Sequence, residues 1–195
     1  MASFYSRSND LITIITDDVV TFLAFLAGST IRSNNKSVRV SMMDTSWKKA
    51  LKSFGFGIIL SIPLSLFNFL YFAYNHGKIN WQNPLVSALQ ALQPGIGEEI
   101  IFRFFIINIL YELLKDKLSQ KPLIISILAI SVIPHSLLHY PDLWLTNISG
   151  AIFMMVLTCI LFGLPMAYLQ CKRDIETSIG FHWFIDPLRA FGGFF

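Results

Sequence analysis

One run of 22 residues without a charge, Ser53 to Tyr74 (SFGFGIILSIPLSLFNFLYFAY), most narrows what this chain can become. About 20 apolar residues in an α-helix cover the hydrocarbon of a bilayer. No water is available there to satisfy backbone groups, so the run must bond internally as a helix, and a membrane helix tolerates a kink at Pro63. Composition agrees. Hydrophobic residues make up 54% of the 195 and charged residues 14%, with 18 phenylalanines. Soluble domains carry roughly 25% charged residues, and one this small has too little interior for so much apolar surface.

Four further segments read as helices. One starts near Pro84 and runs to Leu114, with Pro94 and Gly95 as candidate breaks. Another runs from Pro122, suited to a first helical turn, to His139, bent near Pro134. Leu143 to Leu169 follows, interrupted by Gly163 and Pro165. Ile175 to Phe195 is the last, and Gly180, Pro187, Gly192 and Gly193 weaken it as a regular helix. Leu11 to Thr30 is long enough to cross, but Asp17 and Asp18 are costly at mid-bilayer. It fits a tilted span, a re-entrant piece or an interfacial helix, and is read as a span. The expected fold is an all-α polytopic membrane bundle of five or six spans. Residues 1–83 form an amino-terminal region with one or two spans and a basic loop; residues 84–195 form the core.

The charges lie between these segments. Arg32, Lys36, Arg39, Lys48, Lys49 and Lys52 precede Ser53. Lys115, Lys117 and Lys121 lie in a second loop, Lys172 and Arg173 in a third. The alternate loops carry only His76, Lys78 and Asp142. By the inside bias of lysine and arginine, the three basic loops face the cytoplasm. This spread is a topology signal and not a nucleic-acid surface. The opening MASFYSRSND does not resemble a cleavable signal peptide. Cys159 reads as packing, and with Cys171 makes no metal-like pattern.

Several polar groups break the apolar segments. Glu98, Glu99 and Arg103 stand in GEEIIFRFF, His135 and His139 in PHSLLHY, His182 and Asp186 in GFHWFIDP. Positions four apart share a helix face, so Glu99 can pair with Arg103 while Glu98, offset by about 100°, points elsewhere. Each set also has a plainer reading: an ion pair holding helices together, a local polar pair at His182 and Asp186, and an imidazole at His135 facing a watery cavity. Three separate segments bringing buried carboxylate or imidazole favour a site. Counted from Lys115 and Lys121, Glu98 and His139 are 17 and 18 residues in, about 26 Å of regular helix. His182 is only nine residues from Arg173, about 14 Å. An irregular link from Asp174 to Gly180, tilt, or a break at Pro94 would reconcile the two.

The set suits peptide-bond hydrolysis. Glu98 can take a proton from water, His139 can position that water, and His182 with Asp186 can stabilise charge on a carbonyl oxygen. Glu99 and Arg103 fix the glutamate helix, and His135 is an accessory position. No serine sits in a nucleophile elbow, HExxH is absent, neither cysteine has an evident base, and phosphate loops are missing.

At these residues the chain resembles the CPBP, or Abi, family of intramembrane proteases related to type II CAAX prenyl endopeptidases. Its marks are EExxxR, FxxxH and HxxxN or HxxxD on separate membrane helices. Here they read Glu98 to Arg103, His135 to His139 with histidine in place of phenylalanine, and His182 to Asp186, over roughly Pro84 to Phe195. The resemblance implies a glutamate-dependent endopeptidase with Glu98 as water activator, His139 as its partner, and His182 and Asp186 on the oxyanion side. Glu99 and Arg103 are implied as structural. The family was first described as metal-dependent, and two histidines with a glutamate suit zinc; its better-understood members imply no catalytic metal, so neither metal nor cofactor is expected. The expected partners are a peptide or membrane-protein substrate and the bilayer, with no nucleic acid. The expected setting is a bacterial cell membrane, and the expected role peptide maturation or bacteriocin self-immunity. A non-catalytic immunity or peptide-binding scaffold and a small transporter are the alternatives, the latter disfavoured by the lack of an inverted repeat.

Overall fold

The computed structural model describes residues 11–35 and 38–194. Lys36 of the first basic loop, Phe195 and the opening MASFYSRSND lie outside the described residues. Helix accounts for 86% of the described residues, and no strand occurs among them. The helices are α1 (Leu11–Asn35), α2 (Ser41–Asp44), α3 (Trp47–His76), α4 (Pro84–Glu98), α5 (Ile106–Leu114), α6 (Gln120–Leu137), α7 (Pro141–Thr146), α8 (Ile148–Thr158), α9 (Leu164–Lys172) and α10 (Ile175–Phe191). Widened π-helical turns join α4 to α5 at Glu99–Phe105 and α8 to α9 at Cys159–Gly163.

Among the described residues, four helical stretches are long and apolar enough to cross a membrane: Leu11–Asn34, Trp47–Asn75, Gln120–Leu137 and Ile148–Lys172. Their outward faces stay apolar, with Phe22, Leu23, Ile59, Leu66, Phe67 and Phe153 exposed. Such a surface belongs against acyl chains. The protein is an integral membrane protein.

Local chemistry sets the ends. Ser46 caps α3 by accepting from the Lys49 amide, and Gly77 ends that helix at φ 68°. Asn83 caps α4, with Pro84 in the first turn, where its missing N–H costs nothing. Pro94 is buried inside α4 and does not break it. In the fourth segment the interruption is at Asn147, in extended backbone (φ −154°, ψ 87°), whose side chain caps α8 at Gly150; Gly163 and Pro165 pass within continuous helix.

The last segment is more regular than its glycines suggest. Helix α10 runs unbroken through Gly180 and Pro187. A Cβ on Gly180 would stand 2.1 Å from the Phe54 carbonyl oxygen, and one on Gly57 2.1 Å from the Thr177 carbonyl oxygen. The two glycines therefore let α3 and α10 touch backbone to backbone, the usual service of small residues between membrane helices. Trp183 Nε1 donates to the Ala88 carbonyl at 2.8 Å and pins α10 to α4. Gly95 packs on the Trp183 backbone. On the other side Phe104, Ile107, Leu123, Ile127, Val132, Ala167 and Ile175 form one apolar core, with Cys159 packed against it.

The start of α10 is drawn into the protein. Asp174 is buried, and its carboxylate accepts from the hydroxyls of Ser41, Ser53 and Thr177 at 2.6 Å each. The Ile175 amide donates to the Arg39 carbonyl, and Glu176 accepts from the amides of Ser41 and Met42. The mismatch in residue counts does not keep His182 from Glu98, whose Oε2 lies 3.6 Å from His182 Nε2. The link from Asp174 to Gly180 is not irregular.

Candidate active site

The site forms where the first π turn meets α6 and α10. A π turn makes i→i+5 hydrogen bonds, and such insertions recur at functional sites. Here the turn begins at Glu99 and carries Arg103; Glu98 is the last residue of α4. Glu98, Glu99, Arg103, His135, His139 and His182 are all buried.

Arg103 Nη1 donates to Glu99 Oε1 at 2.5 Å, the pair expected from the four-residue spacing. The same Glu99 oxygen accepts from His182 Nδ1 at 2.9 Å. The other accepts from the Ser178 hydroxyl. A buried carboxylate thus has a guanidinium, an imidazole and a hydroxyl, which is what its desolvation requires. On the far side of Arg103, Nη2 lies 3.0 Å from His135 Nδ1. His135 Nε2 in turn lies 2.6 Å from Glu98 Oε2. His182 Nε2 lies 3.6 Å from that oxygen and 3.7 Å from Asp186 Oδ2. The chain of contacts therefore closes into a ring through Glu98, His135, Arg103, Glu99 and His182.

His139 falls just past the end of α6. Its Nδ1 donates to the His135 carbonyl at 2.9 Å, which leaves Nε2 as an acceptor. Ligand-type atoms of Glu98, His135 and His139 lie within 4.8 Å of one another. One water can bridge such a gap with two ordinary hydrogen bonds.

The structure thus brings Glu98, Glu99, Arg103, His135, His139 and His182 together. Asp186 is one step out, beyond hydrogen-bonding distance of His182 and 3.5 Å from Arg189 Nη2. Two contributors were missed in the sequence. Ser178 lies four residues before His182, and Arg189 three after Asp186, so helical spacing could have found both. The position of His135, closer to Glu98 than a bystander in a watery cavity, had no signal in spacing.

By distance, Glu98, His135 and His139 are a candidate metal-ligand set. Their hydrogen bonding does not fit one. Arginine only donates, so His135 Nδ1 must accept from Arg103 and the ring proton sits on Nε2, facing Glu98. That nitrogen has no lone pair for a cation.

The model of the family described as Type II CAAX prenyl endopeptidase Rce1-like matches residues 80–188. The chain belongs to this family. Membership implies a CAAX-type intramembrane protease, hence a peptide-type substrate and a bilayer. All the site residues from Glu98 to Asp186 fall within the matched stretch. No curated protein and no solved structure matches the chain.

Proposed function

We propose that this Rce1-like protein hydrolyses a peptide bond with a water activated by Glu98. The observation that carries the reading is the convergence of Glu98, His139 and His182 from α4, the end of α6 and α10 on one buried point. In this mechanism Glu98 takes a proton from the water that attacks the scissile carbonyl, and returns it to the leaving amine. His139 Nε2 accepts a hydrogen bond from that water and orients its lone pair. His182 donates from Nε2 to the carbonyl oxygen as it gains charge. Asp186, 3.7 Å from the same ring nitrogen, acts through His182 by orienting its ring. Glu99 and Arg103 keep the π turn and α10 in register. No step uses a metal.

Residues 84–195 act as the protease core, a division that the family match over residues 80–188 supports. The helix Pro84–Leu114 and α10 are counted as crossings beside the four apolar ones, giving six. With the basic loops inside, Glu98 stands nearer the outer side, which favours peptide maturation or bacteriocin self-immunity in a bacterial cell membrane over processing of prenylated cytoplasmic proteins.

The test is cleavage of a peptide library by the detergent-purified protein. Glu98→Gln keeps shape and hydrogen bonding but loses the base, so cleavage falls at least about 10²-fold. His139→Ala and His182→Ala fall as well, once folding is checked. Activity survives a chelator. A folded Glu98→Gln that cleaves at the parent rate overturns the mechanism, and a biological effect that survives in it favours the binding-scaffold reading.

A further inference from the structure

His135 stands where the family's second motif carries phenylalanine, and its ring is used at both ends. Arg103 Nη2 lies 3.0 Å from Nδ1 and Glu98 Oε2 2.6 Å from Nε2. A phenylalanine would make neither bond. The guanidinium has donors only, so a proton on Nδ1 would point at an N–H; only the neutral Nε2–H tautomer satisfies both neighbours. Arg103 itself cannot turn away, because Nη1 is held by Glu99 at 2.5 Å. Around the ring, α10 contributes His182, its ring centroid 5.9 Å away, and the turn just past α6 contributes His139 at 4.3 Å. Phe102 of the π turn lies at 5.3 Å.

We infer that His135 is a positioning residue: locked by Arg103 in the Nε2–H tautomer, it donates to Glu98 Oε2 and fixes the carboxylate that faces His139. The bond engages Oε2 and holds the carboxylate plane. The same proton bars a metal from His135. This deepens the hydrolase reading and rests on it for its purpose, but the hydrogen bond itself can be measured apart from any activity.

The experiment uses the full-length protein in detergent at neutral pH, labelled with ¹⁵N-histidine and, separately, with ¹³C-carboxyl glutamate. Signals are assigned through His135→Phe and Glu98→Gln. The expected spectrum shows His135 as the neutral Nε2–H form, unmoved by equimolar Zn²⁺. His135→Phe shifts the Glu98 carboxyl signal, and His135→Gln, which keeps an N–H donor, restores most of it. His135 found as the Nδ1–H form or as imidazolium, a His135 signal moved by Zn²⁺, or a Glu98 signal indifferent to His135→Phe overturns the inference. With a peptide that the parent cleaves, His135→Phe lowers kcat about tenfold, the worth of one hydrogen bond at the transition state, with KM little changed, and His135→Gln recovers it. A fall confined to KM overturns the positioning role. If the parent cleaves no peptide, the hydrolase reading fails, and the two spectra still decide the hydrogen bond.

Discussion

The crossing of α3 and α10 gives a prediction that ties packing to chemistry. Consider Gly180→Ala. The new Cβ would stand 2.1 Å from the Phe54 carbonyl oxygen and 2.8 Å from its carbon, and ordinary contact begins at 3.4 Å. The obstacle is backbone on both sides, so no side chain can swing aside. The helices must part by about 1.3 Å, the difference between 3.4 and 2.1 Å. Overpacking of this kind costs about 1–3 kcal/mol, and backbone on backbone belongs at the upper end. Alanine returns about 1 kcal/mol of helix propensity, so the net loss is about 2 kcal/mol. The displacement also reaches His182, two residues on, whose Nδ1 bond to Glu99 is 2.9 Å. Adding a shift of that size takes it out of hydrogen-bonding range. Gly55→Ala in α3 is the control, since a Cβ there meets nothing within 4 Å; it should be neutral or slightly stabilising. Reversible unfolding in detergent, run beside peptide cleavage, measures both effects. Equal stability and equal activity for Gly180→Ala and Gly55→Ala would refute the close-contact argument.

Arg103→Ala strands a buried Glu99 carboxylate and should cost about 3–5 kcal/mol; Arg103→Lys should not rescue it, because one ammonium lacks the fork that reaches both Glu99 and His135, as unfolding curves of the two will tell. Burial would raise the Asp174 carboxyl, but hydrogen bonds from Ser41, Ser53 and Thr177 outweigh it and hold it below the usual 3.8. The folded value is depressed, so this stabilisation is complete above the unfolded value and is lost as pH falls through the folded one. Melting temperature against pH should therefore drop on the acid side for the parent and flatten there for Asp174→Asn. Single cysteines introduced beside Lys49, Lys117 and Arg173 should resist an impermeant thiol reagent in intact cells, and labelling beside Lys117 from outside would reverse the topology.

Much of the architecture was legible because its causes are local. Run length and lack of charge mark Ser53–Tyr74 and its fellows as membrane helices whatever they pack against, and backbone satisfaction in lipid leaves no alternative. The i,i+4 rule likewise paired Glu99 with Arg103, since both partners ride on one helix. The family's three motifs named the segments that supply the site. Other features depend on neighbours distant in sequence, and there reading along the chain misled or fell silent. Gly180 reads as a weak point in a helix until Phe54 is seen against it. His182 counts as too shallow by residue number, yet its Nε2 lies 3.6 Å from Glu98 Oε2, because a count along each helix does not tell how the helices are set against one another. Above all, His135 reads as an accessory in the motif, and its bonds to Arg103 and Glu98 come from the packing of α6 against the π turn. A ring nitrogen's role is fixed by the atom facing it. Sequence supplies that atom's identity, and only the tertiary fold decides which atoms face each other.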